Sequence, residues 1–242
     1  DVPAQRRADQ SRFVLRFSPT LAGAMVDALP YLASYPYGCT EQTLNRFVPT
    51  VVTHNVLLEM DVDLAAVREK RANLNAQELG DPADRAARWQ RWERNPVFDE
   101  DEVRDMVRKG VKRLTAMQLS DGGWGWFSGW REHSSPHTTA VVVHGLQLAR
   151  KNGVAIVPGI VERGVNWLKN YQERQIRLRK NAERGLEPAK HRVDNTDALV
   201  AFVLADADVV DEAMLNYLYE DRNGLSVYGK AMTALVFHRQ ED

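Results

Sequence analysis

The sequence predicts an all-α protein, and more narrowly an α/α toroid, a ring of helical hairpins stacked in two layers. Apolar residues recur at spacings of three and four over long segments, which is typical of amphipathic helices. Alternating strand patterns are almost absent. The pattern of residues 107–118 also recurs 54 positions further along the chain, in residues 161–172. Such internal repetition favours a stack of similar helical units.

The periodicity predicts helices at 21–33, 43–60, 102–119, 135–151, 160–175, 195–206, 211–219 and 225–238. Asp99, with Glu102 three residues on, is typical of a helix start because an acidic cap precedes an amphipathic run. The Gly-rich residues 121–127 interrupt the helices and predict a small Gly/Trp-rich hairpin insertion. The basic stretch 171–195 is predicted to be a solvated surface loop.

About four helical hairpins are expected, each with an amphipathic outer helix followed by a more apolar inner helix. A complete ring needs more hairpins, so the toroid is expected to be incomplete or open. The polar residues 1–12 are predicted to be a leading segment, and residues 13–242 the toroid domain. Because the chain opens with Asp1 and carries no signal-peptide pattern, it is interpreted as a piece of a longer protein.

Composition excludes several classes of function. With 32 basic and 33 acidic residues, the formal net charge of −1 offers no electrostatic case for binding nucleic acid or an anionic membrane. Cys39 is the single cysteine, which rules out an intrachain disulfide framework and a Cys-rich zinc site. No apolar stretch reaches the roughly 18–20 residues of a membrane span. We therefore expect no cofactor, no metal and no membrane span.

Cys39 and Gln42 carry the chemistry that the spacing allows. They fall in the first turn of an inner helix, and residues three apart share a face, so the thiol and the carboxamide can meet. The positive end of a helix favours a thiolate and offers free N–H groups to an anion. A thiolate could attack the Gln42 carbonyl and expel ammonia, which closes an internal thioester. The alternative is that Cys39 is an ordinary buried hydrophobe.

The residues around Cys39 form a distinctive string. Residues 35–43 read Tyr-Pro-Tyr-Gly-Cys-Thr-Glu-Gln-Thr, and Phe-Val-Pro-Thr follows at 47–50. This string resembles the thioester motif of the α2-macroglobulin and complement family. The string is most similar to the bacterial α2-macroglobulins, and Thr40 stands where animal members commonly have Gly. Residues 118–127, 167–168 and 197–204 also fall where the thioester domain of the family has its helical landmarks, so the resemblance covers nearly the whole chain.

The resemblance implies that Cys39 and Gln42 form an internal thioester within a toroid that belongs to a much larger endopeptidase inhibitor, not to an enzyme. A protease cuts a bait segment elsewhere in the parent, the thioester is exposed, and a lysine amine of the protease attacks the Gln42 carbonyl. Its implied partners are the target proteases and the neighbouring domains of the parent. The resemblance also implies a periplasmic, cell-envelope or secreted location.

An activated acyl group must be kept from water until it is needed. Tyr35 and Tyr37 directly precede the cysteine and are candidate lids. Trp124, Trp126 and Phe127 are predicted at the same rim of the toroid and could extend an apolar surround. For these three aromatic residues the alternative is ordinary core packing, or an interface with a neighbouring domain.

Complement proteins of this family use a histidine from a later loop to pass the acyl group to hydroxyls. The matching loop here, residues 182–187, contains no histidine, and the nearest candidate is His191. This departure from the family pattern favours direct reaction with amines. His133 and His137 flank the aromatic turn, but no third ligand supports a metal site.

Two rival functions remain open. Residues 118–124, Gln-Leu-Ser-Asp-Gly-Gly-Trp, resemble the Gln…Gly-x-Trp repeats of triterpene cyclases, which share the toroid. Those enzymes protonate their substrate through an Asp-rich motif, whereas the acidic run 99–102 reads as a helix cap, and fold alone does not carry function. The other rival is a toroid scaffold or interaction domain whose thioester is never formed. The substitution Cys39→Ala discriminates all three readings.

Overall fold

The computed structural model describes residues 5, 7, 21–34, 38–66, 95–129 and 131–241, and within these ranges it contains helices but no strand. The long helices are α1 (Leu21–Ser34), α2 (Thr40–Glu59), α3 (Glu100–Met117), α4 (Pro136–Lys151), α5 (Ile160–Glu183), α6 (Asn195–Ala205), α7 (Glu212–Glu220) and α8 (Val227–Glu241). Single 3₁₀ turns, Pro96–Phe98 and Arg222–Gly224, precede α3 and α8. Over the part of the chain described, no helix combines the length and apolarity needed to cross a bilayer.

The helices form two layers, as the toroid prediction requires. In the inner layer, α2 packs against α4, α4 against α6, and α6 against α8. The outer helices α1, α3, α5 and α7 pack on this row from outside, with α3 against α2 and α5 bridging α4 and α6. No comparable interface joins α2 to α8 among the described residues. The four hairpins therefore form an open arc.

The predicted repeat is confirmed by the packing of its two glycines. Gly110 on α3 lies so close to the inner layer that a Cβ there would overlap the Phe47 ring. Gly164 is the corresponding residue on α5, where a Cβ would meet Trp124 and Val143. Gly110 thus admits Phe47 from the inner helix α2, and Gly164 admits Val143 from α4 together with Trp124 from the loop that precedes α4. These contacts belong to one buried cluster that runs through α2 to α6.

The prediction that residues 171–195 form a surface loop is wrong for their first half. Helix α5 continues to Glu183, because Gln172 and Ile176 extend its buried stripe beyond the point where the sequence reading ended it. The basic residues Arg174 and Arg177 lie on the exposed face of the same helix. A dense run of positive charge therefore marks the solvent side of an amphipathic helix here.

Helix starts and ends are tied down by polar groups. Asp99 caps α3 as predicted, with its carboxylate accepting the backbone N–H of Glu102 at 3.1 Å. At the C-terminal end of the inner helices, the Asp206 carboxylate joins three helices. Its Oδ1 lies 3.0 Å from Lys151 Nζ on α4 and 2.9 Å from Arg239 Nη2 on α8. The buried carboxylate thereby holds the C-terminal ends of the inner helices together.

Candidate functional site

Cys39 and Gln42 lie together in the first turn of α2. Cys39 is the N-cap residue, with extended backbone angles of φ −67° and ψ 168°, and Gln42 is the third helical residue. The two form a capping-box arrangement in which Gln42 Oε1 accepts the Cys39 backbone N–H at 3.4 Å. Cys39 is buried, with 3% of the residue exposed, whereas Gln42 is half-buried. The side chains are thus held on one face of the turn.

The residue after the cysteine is fixed from the side of the Gly/Trp-rich loop. Thr40 is fully buried, and its hydroxyl donates to Gly125 O at 2.7 Å and lies 3.1 Å from Trp126 O. The Thr40 backbone N–H also donates to Trp126 O, at 3.0 Å. A free N–H of the helix start is therefore satisfied by a distant segment of the chain, not by water.

The residue before the cysteine is fixed from the side of α3. The Arg113 guanidinium donates from Nη2 to Gly38 O at 2.9 Å. Gly38 lies against this guanidinium so closely that a Cβ would overlap it. Contacts to two separate elements thus flank Cys39, one to α3 and one to the 125–126 segment.

The Gly/Trp-rich loop that supports Thr40 forms successive turns, and no strand pairing occurs in its described residues 118–129 and 131–135. Asp121 organises it: Oδ1 accepts from the Gly123 N–H and the Ser134 hydroxyl, and Oδ2 accepts from the Trp167 indole. Partial burial opposes ionisation of Asp121, but these donors outweigh it and hold the pKa of the carboxyl below its ordinary value. The loop is therefore braced against α5 through Trp167.

Gln118 closes the base of the same loop. Its amide nitrogen donates to Gly122 O and to Ile160 O, each at 2.9 Å, and Arg163 donates to its carbonyl oxygen. One side chain therefore links the end of α3, the loop and the start of α5. The Gln…Gly-x-Trp pattern has a structural explanation here, because the side chains of Gln118 and of Asp121, which lies within the pattern, hold the loop in place.

The three aromatic residues predicted as a shield separate into two groups. Trp124 is fully buried, and its indole N–H donates to Leu114 O at 2.9 Å, so it packs in the core. Trp126 and Phe127 are 50% and 56% exposed, and the backbone carbonyl of Trp126 is one of the two that accept from Thr40. Tyr35 and Tyr37 fall outside the described residues.

His191 is exposed in the segment that leads into α6, and none of the hydrogen bonds described joins it to the Cys39 turn. His137, in the first turn of α4, is nearer: it lines a shallow pocket together with Glu41 and Trp126. No group of three potential metal ligands occurs among the described residues.

A much larger groove lies elsewhere, along α3, with a volume of about 710 Å³. Valines line much of it, and among the described lining residues Glu100, which is bonded to Arg104, is the one carboxylate. A cyclase needs an acid free to protonate its substrate, whereas Glu100 is engaged by Arg104 on the same helix. The groove contains neither Cys39 nor Gln42.

Sequence reasoning missed Arg113 and the structural role of Thr40. A signal for Arg113 was present in the repeat, because position 113 corresponds to Trp167 in the second copy. Both residues donate a hydrogen bond from an outer helix to a turn, Arg113 to Gly38 O and Trp167 to Asp121. The repeat does not indicate which group accepts the hydrogen bond from each of these two residues.

The substitution Thr40→Val is expected to destabilise the chain by about 1–3 kcal/mol, because it removes the hydroxyl donor of the buried Gly125 carbonyl without changing shape. Urea unfolding measures the change. Thr50→Val is the matched control, since Thr50 is buried on the same helix but donates only to Arg46 O within it. Equal small effects of the two substitutions would contradict the role assigned to Thr40.

No protein-family model matches the chain. Among curated proteins, an α2-macroglobulin of Thermotoga maritima is 26% identical over 157 residues, which are 65% of this chain and 8% of that protein. Thioester-containing protein 1, allele S3, of Anopheles gambiae is 22% identical over 223 residues, which are 91% of this chain and 14% of that protein. The chain thus spans a small fraction of the relatives that it matches.

Solved structures agree on the fold. A Salmonella α2-macroglobulin mutant matches with a TM-score of 0.57 and 20% identity, over 89% of this chain and 12% of that one. Native Escherichia coli α2-macroglobulin, from its MG7 domain to the C-terminus, matches with a TM-score of 0.51 and 19% identity, over 88% and 30% of the two chains.

The fold therefore defines the chain as an α/α toroid of helical hairpins. Its homologues and structural neighbours are α2-macroglobulins and thioester-containing proteins, consistent with the thioester-domain region of a bacterial α2-macroglobulin-like protein.

Proposed function

We propose that the chain is the thioester domain of an endopeptidase inhibitor and that Cys39 and Gln42 form its internal thioester. The observation that carries the proposal is the capping-box arrangement at the start of α2, which holds the thiol-bearing residue and the carboxamide on one face. The homology to α2-macroglobulins and thioester-containing proteins supports the protease-inhibitor family.

The chemistry balances within the turn. The Cys39 sulfur attacks the Gln42 carboxamide carbon, the C–N bond breaks, and ammonia leaves with the thiol proton. The Cys39 N–H, which already donates to Gln42 Oε1, is placed to stabilise the negative charge that develops on this oxygen. In the second step a primary amine attacks the same carbon, the C–S bond breaks, and an amide and the Cys39 thiol are formed.

In the proposed trap the amine is a lysine side chain of the attacking protease, and the reaction tethers the protease to Gln42. The bait segment that triggers exposure of the thioester belongs to the parent protein, as do the neighbouring domains that complete the shield. We place the parent in the periplasm, on the cell envelope or outside the cell, where it would meet foreign proteases. Burial of Cys39 supports a bond that is kept from water before the trigger.

A count of reactive thiols tests the proposal. Cys39 is the sole cysteine, so a disulfide probe added in acidic denaturant reports its state without interference from burial. We expect little reactive thiol in the untreated protein and one thiol per chain after incubation with methylamine. One reactive thiol per chain in the untreated protein, unchanged by methylamine, would reject the thioester. It would favour a toroid scaffold whose thioester is never formed.

A further inference from the structure

We propose that Arg113 is a positioning residue for the thioester: its hydrogen bond to Gly38 sets the lifetime of the Cys39–Gln42 bond and its partition between amines and water. The inference rests on the proposed function of Cys39 and Gln42. Arg113 lies on α3, 75 positions from Gly38 in the sequence, and touches the turn through a backbone carbonyl.

A helix start is intrinsically weak. The first backbone N–H groups have no partner within the helix, so an isolated first turn opens readily. Cys39, as the N-cap, holds the extended backbone conformation that brings its N–H to Gln42 Oε1. If the backbone on either side of Cys39 moves, the Cys39 N–H no longer points at Gln42 Oε1.

Each neighbour of Cys39 is held by a partner far away in sequence. Thr40 is held by the Gly125 and Trp126 carbonyls, and Gly38 is held by Arg113. A charged donor makes the stronger kind of hydrogen bond to a carbonyl. The hydrogen bond from Arg113 is the described long-range contact that fixes Gly38, the residue before the cysteine.

The contact with Arg113 also accounts for the glycine at position 38. The Arg113 guanidinium occupies the space where a Cβ would lie, while no positive φ demands a glycine there. Because that guanidinium ends a flexible side chain, Gly38→Ala would displace it instead of unfolding the protein. The sequence Gly38-Cys39 therefore matches a turn that must leave room for an arginine clamp.

The test compares Arg113→Gln with wild type in a time course of methylamine-reactive thioester at neutral pH. We expect a half-life shorter by about threefold to tenfold, the factor that the loss of one hydrogen bond corresponds to. We also expect a larger share of Gln42 to be recovered as Glu, the product of attack by water. Arg113→Lys keeps a charged donor and should restore part of the half-life.

Arg108→Gln is the matched control, because Arg108 is exposed on the same helix and bonds to Asp105 away from the turn. A double-mutant cycle tests whether Gly38 and Arg113 act through one contact. In the Arg113→Gln background, Gly38→Ala should cause no further loss of half-life, since both changes break the same contact.

The outcomes separate the two proposals. A wild-type chain without a thioester overturns the proposed function, and the role of Arg113 falls with it. A wild-type chain with a thioester whose half-life and partition are unchanged by Arg113→Gln overturns the role of Arg113 alone. Additive effects of Gly38→Ala and Arg113→Gln would overturn it as well.

Discussion

Replacing Cys39 by serine is expected to abolish covalent uptake of methylamine while leaving the helical fold in place. The variant loses the sulfur that Gln42 must acylate, so incorporation falls from one amine per chain to background. Serine is itself a preferred N-cap residue, and the stability of α2 should change by no more than about 1 kcal/mol. Labelled methylamine followed by gel or mass analysis measures uptake, and circular dichroism measures the fold.

Gln42→Glu serves as the companion variant, because a carboxylate does not expel ammonia and the ring should not close. It retains Cys39, and its thiol should therefore be fully reactive without any amine. Uptake of methylamine by either variant at the wild-type level would show that another residue carries the acyl group. A loss of helicity in Cys39→Ser alone would point instead to a structural role for the thiol.

The second large effect is expected at Trp124, whose substitution by alanine should cost about 3–5 kcal/mol of unfolding free energy. Its ring is fully buried against Gly164 and its indole N–H donates to Leu114 O, so the variant loses both packing and a hydrogen bond. Urea unfolding measures the loss. Trp124→Phe would retain the ring packing and isolate the contribution of the hydrogen bond.

Trp126→Ala is the matched control from the same loop. Its side chain is half exposed, and its described contact with α2 is made by the backbone carbonyl, so the stability should change by no more than about 0.5 kcal/mol. If Trp126 shields the thioester, the variant should instead shorten the thioester half-life at unchanged stability. Equal costs at Trp124 and Trp126 would contradict the separation into core and surface residues.

The layers of the toroid could be predicted because they depend on local patterns. Apolar spacing marked the long helices, and the repeat predicted the shared position of Gly110 and Gly164. Prediction was less successful where the same residues fit either a loop or a helix and burial distinguishes the two. The basic residues after Tyr171 suggested a loop, whereas Gln172 and Ile176 continue a buried stripe on α5.

The position of the candidate site was also visible, since Cys39 and Gln42 share one helical turn whatever surrounds them. The contacts that hold the turn were not, because Arg113 and Gly125 are 75 and 85 residues away from their partners. No local pattern specifies which carbonyl a distant side chain will meet. Likewise, Trp124 and Trp126 are two residues apart and differ only in the direction that the loop gives their rings.

The mass of the intact chain, before and after methylamine, tests the central claim most directly. The account predicts an untreated mass lighter than the encoded chain by one ammonia, and an increase by one methylamine after treatment. A peptide map should then place the amide on Gln42. A mass equal to the encoded sequence, unchanged by the amine and accompanied by a free Cys39 thiol, would contradict the account.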